Sequence, residues 1–269
     1  GAAGHGRSGA ARYPANRLKT SRDALATMIA GAEPATRAAN GLRLEEGTAV
    51  ELLPAFAEGL FEVQDEGSQL IAELAGARPG MTVVDLCAGA GGKTLALAAD
   101  MANAGRLIAS DSDRRRLSRL GPRAERAGAT NITAVLLDPG RELAALDAWV
   151  GQADVVLIDA PCSGTGTWRR NPEARWRLTP ERLARLGAVQ ARLLDIGAAL
   201  VRPGGRLIYA VCSLLDEEGP DRFADFLRRQ PDWRALSLMP DAPQAGAGVR
   251  LSPLATETDG FFIAGAGKP

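Results

Sequence analysis

Hydrophobic positions along the chain follow two alternating rhythms. Short runs rich in β-branched residues, "MTVVDL" (81–86), "GRLIAS" (105–110), "NITAVLL" (131–137), "ADVVLID" (153–159) and "GRLIYAV" (205–211), read as five buried strands. Between them, apolar residues spaced three and four apart predict helices over 93–102, 113–127, 180–201 and 216–229, and "RPGG" at 202–205 reads as a helix stop. Strand and helix in strict alternation predict an α/β fold with a doubly wound, mostly parallel sheet. "GVRLSP" and "GFFIAGA" near the end read as a hairpin that adds antiparallel edge strands. Residues 1–62 lack the rhythm, carry turn signals throughout and hold one helix candidate at 21–31. They predict a small N-terminal α+β module ahead of a main domain over 63–269.

Composition narrows the class. With 269 residues, 46% hydrophobic and 24% charged, the chain can bury a sizeable core. No apolar run approaches the roughly 18 residues of a membrane span, so no membrane partner is expected. Three cysteines at long spacings make no disulfide framework, and a single His without a CxxC pair makes no zinc site. A reducing, cytoplasmic setting and no metal are therefore expected. Lys plus Arg equals Asp plus Glu at 32 each, so net charge offers no argument for a nucleic-acid partner. Local clusters do. From Trp168 to Arg185 six arginines face two acids, with Trp168 and Trp176 interleaved. Cations grip phosphates and rings stack on unpaired bases, which makes Trp168, Arg169, Arg170 and Arg175 candidate RNA contacts. Arg182 and Arg185 are explained equally well as a solvated helix face. The first 43 residues hold seven basic residues against two acidic ones.

An open α/β sheet binds ligands at the loops beyond its strand ends. The first such loop, "DLCAGAGGKT" (85–94), fails as a P-loop because Cys87 stands where the leading glycine belongs. It also fails as a dinucleotide fingerprint, at Thr94. What remains is a glycine turn that lets backbone approach a ligand at a helix N-terminus. Asp111 ends the next strand, where an acid can bind a ribose diol, and Asp138 ends the third in the same way. This order favours an adenosine ligand without a diphosphate, and S-adenosylmethionine fits it. Asp159 and Cys162 follow the fourth strand and Cys212 follows the fifth. Those strands are neighbours in the nucleotide-binding order, about 5 Å apart, so both thiols are expected to face one cleft. A lone Cys after a strand is usually a small buried hydrophobe; two beside a methyl-donor site argue for chemistry. The strand argument alone does not say which one attacks.

"VQDEGSQ", "DLCAGAGGKT", "DAPCSGTGTWRRNP" and "YAVCS", taken together over about 62–264, resemble the Sun/Nop family of S-adenosylmethionine-dependent RNA cytosine-C5 methyltransferases. The resemblance implies a Rossmann-like methyltransferase sheet preceded by a small RNA-binding module. It implies Cys212 as nucleophile and Cys162 as the residue assisting product release. It also implies a methyl-donor pocket lined by Cys87, Ala88, Gly89, Ala90, Gly91, Gly92, Lys93, Asp111, Asp138 and Asp159. The implied partner is RNA, ribosomal RNA foremost with tRNA as the alternative, the product 5-methylcytosine and the protein a monomer. The chemistry agrees with that assignment. Carbon 5 of cytosine is a poor nucleophile until a thiolate adds to carbon 6. Asp159 is suited to hydrogen-bond the ring's N3 edge, and Lys93 is a candidate for activating Cys212. Two departures stand out: Gly89-Ala90 replaces the family's alanine-proline, and Val211 replaces its threonine before the nucleophile. A non-catalytic RNA-binding relative would be expected to lose a thiol or the glycine loop, and an amino-group methyltransferase would carry Asn-Pro-Pro where "DAPC" stands. The abrupt start "GAAGHGRSGA", where the ribosomal RNA enzyme has a helical domain, leaves the target RNA open; His5 within it is expected to be inert.

Overall fold

In the computed structural model, which describes residues 12–45 and 47–269, the chain forms a nine-stranded sheet beside a three-stranded one. His5 and Arg7 lie outside the described residues. The small sheet pairs β1 (Arg12–Pro14), β2 (Glu33–Pro34) and β3 (Gly41–Arg43) in the antiparallel order β1-β3-β2. Helix α1 (Arg22–Met28) begins where Ser21 Oγ accepts from the Ala24 N–H. It buries Leu25 in a local core with Tyr13, Leu42 and Phe61. After the single turn α2 (Pro54–Ala57), helix α3 (Glu66–Ala75) is capped by Asp65 and closed by Gly76 in the left-handed conformation.

The large sheet is built from strand–helix units. β4 (Thr82–Asp85), β5 (Arg106–Asp111), β6 (Ile132–Leu136), β7 (Ala153–Asp159) and β8 (Val201–Val211) pair in parallel in the order β6-β5-β4-β7-β8. Their crossovers are α4 (Gly92–Asp100), α5 (Arg114–Leu117) with α6 (Leu120–Ala127), α7 (Glu142–Ala145) and α8 (Pro180–Leu200). Helix α9 (Pro220–Arg229) follows β8, and then come β9 (Arg234–Leu236), β10 (Gln244–Ala245), β11 (Gly248–Leu251) and β12 (Phe261–Gly267). Strand β12 runs antiparallel to β8, with β11 and β9 beside it. Side chains alternate between two cores, as a sheet covered on both faces requires. Val84, Val156, Leu207 and Tyr209 pack with Leu194 and Leu200 of α8 on one face. Val83, Val155, Leu157 and Ile208 pack with Ile71 and Leu97 on the other. Chain direction across the sheet reverses between β4 and β7, which opens a crevice at their carboxyl ends.

Several elements depart from the sequence reading. The helix expected over 113–127 is broken into α5 and α6, because Pro122 has no N–H to continue the ladder and its ring clashes with the carbonyl four residues back. The helix expected from 216 starts at Pro220, a first-turn position that proline favours. "RPGG" does end α8, at Leu200, but itself lies inside β8, where Gly204 at φ +73 accompanies a register shift against β7. β6 is an edge strand and half-exposed, and β12 lies inside the sheet rather than at its edge.

Four basic residues of the first module, Arg12, Arg17, Lys19 and Arg43, are tied to other segments. Arg12 pairs with Glu66 at 3.1 Å and Asp65 at 3.4 Å, Arg43 with Glu66 and Glu257 at 3.2 Å each, and Arg17 with Asp100. Lys19 donates to the carbonyls of Glu58 and Arg126 at 2.7 Å each. These contacts fasten the small sheet to the large one, so the cluster read from the sequence is in good part an internal fastening.

Gly166, in the turn after β7, touches Gly260 before β12. The Gly260 N–H donates to the Gly166 carbonyl at 2.8 Å, and a Cβ on Gly166 would stand 2.0 Å from the Gly260 carbonyl oxygen. Gly166→Ala is expected to destabilise the protein by about 3 kcal/mol, the upper end of the overpacking range, because backbone rather than a side chain must move. Denaturant unfolding checks this; an unchanged midpoint would show that the loops separate freely.

Candidate active site

The crevice at the carboxyl ends of β4 and β7 holds a cavity of about 290 Å³. One wall is Asp85, Cys87, Ala88, Ala90, Gly92 and Arg116; the other is Gln64, Asp65, Ser68, Lys93, Asp159 and Arg170.

The first wall is the glycine loop. Gly89 and Gly91 have φ of 56° and 89°, a region glycine enters without a Cβ penalty. Gly91 is the N-cap of α4, and a Cβ there would stand 2.2 Å from Leu120 Cδ1. Asp111 locks the loop: its Oδ2 accepts from the Gly89 N–H and its Oδ1 from the Asp113 N–H, both at 2.7 Å. Each oxygen keeps lone-pair capacity for a further donor. Asp85 is fully buried and accepts from the Thr94 hydroxyl at 2.7 Å through Oδ2, while Oδ1 has no partner among the described residues. Burial pushes its pKa up to about 7. Burial, with Asp111 nearby, also pushes the Cys87 thiol up, which marks it as packing rather than a nucleophile. The Arg116 guanidinium lies over Gly89, 2.4 Å from where a Cβ would be. Asp138 is exposed at the end of β6 and is not among the lining residues.

Of the reactive groups, Lys93 and Asp159 line the cavity, while Cys162 and Cys212 are not among its lining residues. β7 and β8 pair as far as Asp159 opposite Ala210, so the loops that follow leave the sheet side by side. Cys162 Sγ and Cys212 Sγ are 3.3 Å apart. The Cys162 thiol, donating to Cys212, holds Cys212 below the ordinary thiol range against burial, and Lys93 adds to the effect. The same contact, with burial, pushes Cys162 well up. Cys212 is therefore the thiol of the pair that ionises first, with Cys162 placed to donate to it. Lys93 Nζ donates to Asp159 Oδ2 at 2.6 Å and to Ser68 Oγ at 3.3 Å. Burial works to lower the Lys93 ammonium, and the adjacent Asp159 overrides it.

Beyond the thiols the chain becomes basic. Arg170 Nε donates to Asp259 Oδ2 at 2.8 Å and Arg169 Nη2 to Asp259 Oδ1 at 3.3 Å. Asp259 is fully buried, so both arginines anchor their loop to the segment before β12 while remaining partly open to solvent. Trp168 is partly buried. The Arg175 guanidinium lies 4.7 Å from the ring centroid of Trp176, which is 77% exposed.

The structure thus brings together Cys162, Cys212, Asp159, Lys93 and the glycine loop. Asp111 stands behind that loop, and Asp138 apart. Arg116, Ser68, Gln64, Asp65 and Asp85 complete the cavity without having been assigned a role from sequence. Four of them lie inside or at the start of motifs already singled out, "VQDEGSQ" and "DLCAGAGGKT". Among the described residues no helix is long and apolar enough to cross a membrane, and no His, Cys, Asp or Glu group could hold a metal.

Asp85 gives a pH signature. Its folded pKa, about 7, lies above the unfolded value of about 3.9, so ionising it weakens the fold progressively from about pH 4 to pH 7 and by a constant amount above. Asp85→Asn, which keeps the acceptor for Thr94, is expected to be a few kcal/mol more stable than the parent at pH 8. That gap should narrow toward pH 5. Urea unfolding across this range checks it; a gap independent of pH would contradict the assignment.

The family model described as 16S rRNA methyltransferase RsmB/F matches residues 73–266. The chain is 40% identical over 229 residues to a protein of Salmonella paratyphi B named ribosomal RNA small subunit methyltransferase B, covering 84% of this chain and 51% of that one. The crystal structure of PH0851 superposes with a TM-score of 0.91 at 32% identity, covering 98% of this chain and 60% of that one. A methyltransferase homolog protein from Pyrococcus horikoshii superposes with a TM-score of 0.83 at 29% identity, covering 97% and 87%. The chain spans 51% to 59% of the length of the curated relatives it matches. With the family's motifs in order along the chain and its fold reproduced, this chain belongs to the RsmB/F family of 16S rRNA methyltransferases.

Proposed function

We propose that the chain transfers a methyl group from S-adenosylmethionine to carbon 5 of a cytosine in small-subunit ribosomal RNA, with Cys212 as nucleophile. The observation that carries this reading is the contact between Cys162 and Cys212, 3.3 Å apart beside Asp159 and Lys93. A disulfide-free pair of thiols in contact, of which Cys212 ionises first, suits an addition–elimination reaction. The name carried by the Salmonella relative supports ribosomal RNA as the target.

The cavity fits the methyl donor. Its glycine loop offers backbone that a side chain would obstruct, Asp111 stands behind the loop as the acceptor for a ribose diol, and the unpartnered Asp85 Oδ1 suits an ammonium group. When bound, S-adenosylmethionine supplies an electrophilic methyl group.

The residues then have distinct tasks. Cys212 adds as a thiolate to carbon 6 of the base, pushing the carbon 5–carbon 6 electron pair toward carbon 5, which takes the methyl group. Asp159, with Oδ2 held by Lys93, accepts from the cytosine's exocyclic amine through its other oxygen, and the Lys93 ammonium balances charge developing on the ring. Loss of the carbon 5 proton to a base and rupture of the sulfur–carbon 6 bond restore the ring. Cys162, 3.3 Å from Cys212, assists that rupture by donating its S–H to the departing thiolate. Arg175 and Trp176, exposed past this loop, suit phosphate and base contact; Arg169 and Arg170 present their open faces beside them.

Calorimetry should detect S-adenosylmethionine binding, and Asp111→Ala should weaken it by about 1–3 kcal/mol, since the change unpairs the Gly89 and Asp113 amides as well as removing an acceptor. Absence of any binding by the intact protein would sink the reading. Cys212→Ala is expected to abolish methyl transfer with no protein–RNA adduct. Cys162→Ala should accumulate an adduct that survives denaturing electrophoresis, because the leaving thiolate loses its donor. Adduct in Cys212→Ala and none in Cys162→Ala would reverse the roles.

A further inference from the structure

Beneath the thiols lies a second layer of polar side chains. Glu218, in the turn between β8 and α9, is fully buried. Its Oε1 accepts from the Ser163 N–H at 2.8 Å and from Gln190 Nε2 at 3.1 Å, and its Oε2 accepts from the Ser163 hydroxyl. Its backbone carbonyl accepts from the Tyr209 hydroxyl at 2.6 Å. Ser163 directly follows Cys162, and Ser213 directly follows Cys212. The two serine oxygens are 3.3 Å apart, and Ser213 Oγ is 3.1 Å from Thr165 Oγ1, which accepts from the Leu214 N–H at 2.8 Å. The Gly166 N–H closes the set by donating to the Cys212 carbonyl at 3.1 Å.

Most of these bonds join the loop after β7 to the loop after β8, and Glu218 holds its loop-to-loop bonds with neutral donors. A carboxylate buried without a cation is costly, and an apolar side chain of similar size would serve packing as well. Retaining it makes sense where a fixed geometry is needed. The geometry fixed here is the separation of the thiols.

Resting on the function proposed above, we propose that Glu218 is a positioning residue for the thiol pair: by gripping Ser163 through both its N–H and its hydroxyl, it holds the Cys162 loop in the register at which Cys162 donates to Cys212. This grip acts through Ser163, and Glu218 has no part in holding RNA or the methyl donor. Its charge has a second consequence. Beyond the effects of the Cys212 contact and burial, Glu218 helps keep Cys162 protonated, and so keeps it a donor.

The test is alkylation by iodoacetamide from pH 5 to 10 on the full chain without RNA or methyl donor, each thiol followed by peptide mass spectrometry. In the parent, Cys212 should label at lower pH than an ordinary thiol, and Cys162 at higher. Glu218→Ala should slow Cys212 labelling at pH 7 about tenfold, the thiolate lost when its donor withdraws. Glu218→Gln keeps an acceptor for the Ser163 N–H and should restore most of the Cys212 rate, while Cys162 labels at lower pH than in the parent. Ser163→Ala keeps the charge but halves the grip, and should slow Cys212 about threefold, roughly half the tenfold effect on a logarithmic scale. A purely structural role would lower the melting temperature and leave these profiles in place. Where Glu218→Ala does not fold, the other two variants decide: parental profiles for both thiols in both variants overturn the proposal. Labelling needs no methyl transfer, so a parent that fails to methylate RNA sinks the functional reading and leaves this test standing.

Discussion

The parallel pairing of β7 with β8 is the constraint on which the site depends. Its register, with Asp159 opposite Ala210, ends both strands at one level, so the next turns deliver Cys162 and Cys212 to a single point. Side chains alternate along a strand, so a slip of one residue would turn either loop to the other face of the sheet. The pairing is protected by its place in the middle of the sheet, flanked by β4 and β12, with both faces buried. Catalytic geometry is thereby tied to the most stable part of the fold rather than to the mobility of loops.

A buried set of charges adjoins the cavity, which Asp65 and Arg170 help to line. Asp65 and Glu66, adjacent at the start of α3, and Asp259, before β12, are three carboxylates gathered by Arg12, Arg43, Arg169 and Arg170. Burial, and then Asp259 nearby, push Asp65 upward, a tension relieved by the Gly67 N–H and then by Arg12 and Arg170. Removing one cation would leave a buried negative charge uncompensated, which costs more than an exposed pair is worth. The N-terminal module, the basic loop and the segment before β12 are linked in this way around the entrance that a base would use.

The site also concentrates features the rest of the fold avoids. Asp85 is buried with one oxygen unpartnered, Lys93 sits in the interior against Asp159, and two thiols lie 3.3 Å apart. Each is unfavourable as packing and each suits a ligand or a reaction, the pattern expected where stability has been exchanged for function.

How much of this was legible in the sequence follows from the range of the physics involved. Five strands, the crossover helices other than α7 and the adjacency of the two thiol-bearing loops came from hydrophobic period and the rules for parallel sheets, both local or topological. Gly-Pro at 121–122 was a readable break, missed because the apolar spacing runs through it. Composition could not say which arginines are free: Arg169 and Arg170 find Asp259 some ninety residues away, and Arg12 and Arg43 find Glu66 and Glu257. Nor could motif spacing say that Cys162, more than Lys93, lowers Cys212, or that Glu218 grips Ser163. The sequence by itself determined the elements, their order and the residue types at the strand ends, because these depend on neighbours three or four positions apart. Only the tertiary structure decided which groups share a hydrogen bond or a charge, because hydrogen bonds and ion pairs are set by distances of about 3 Å between segments that meet only once the sheet has formed.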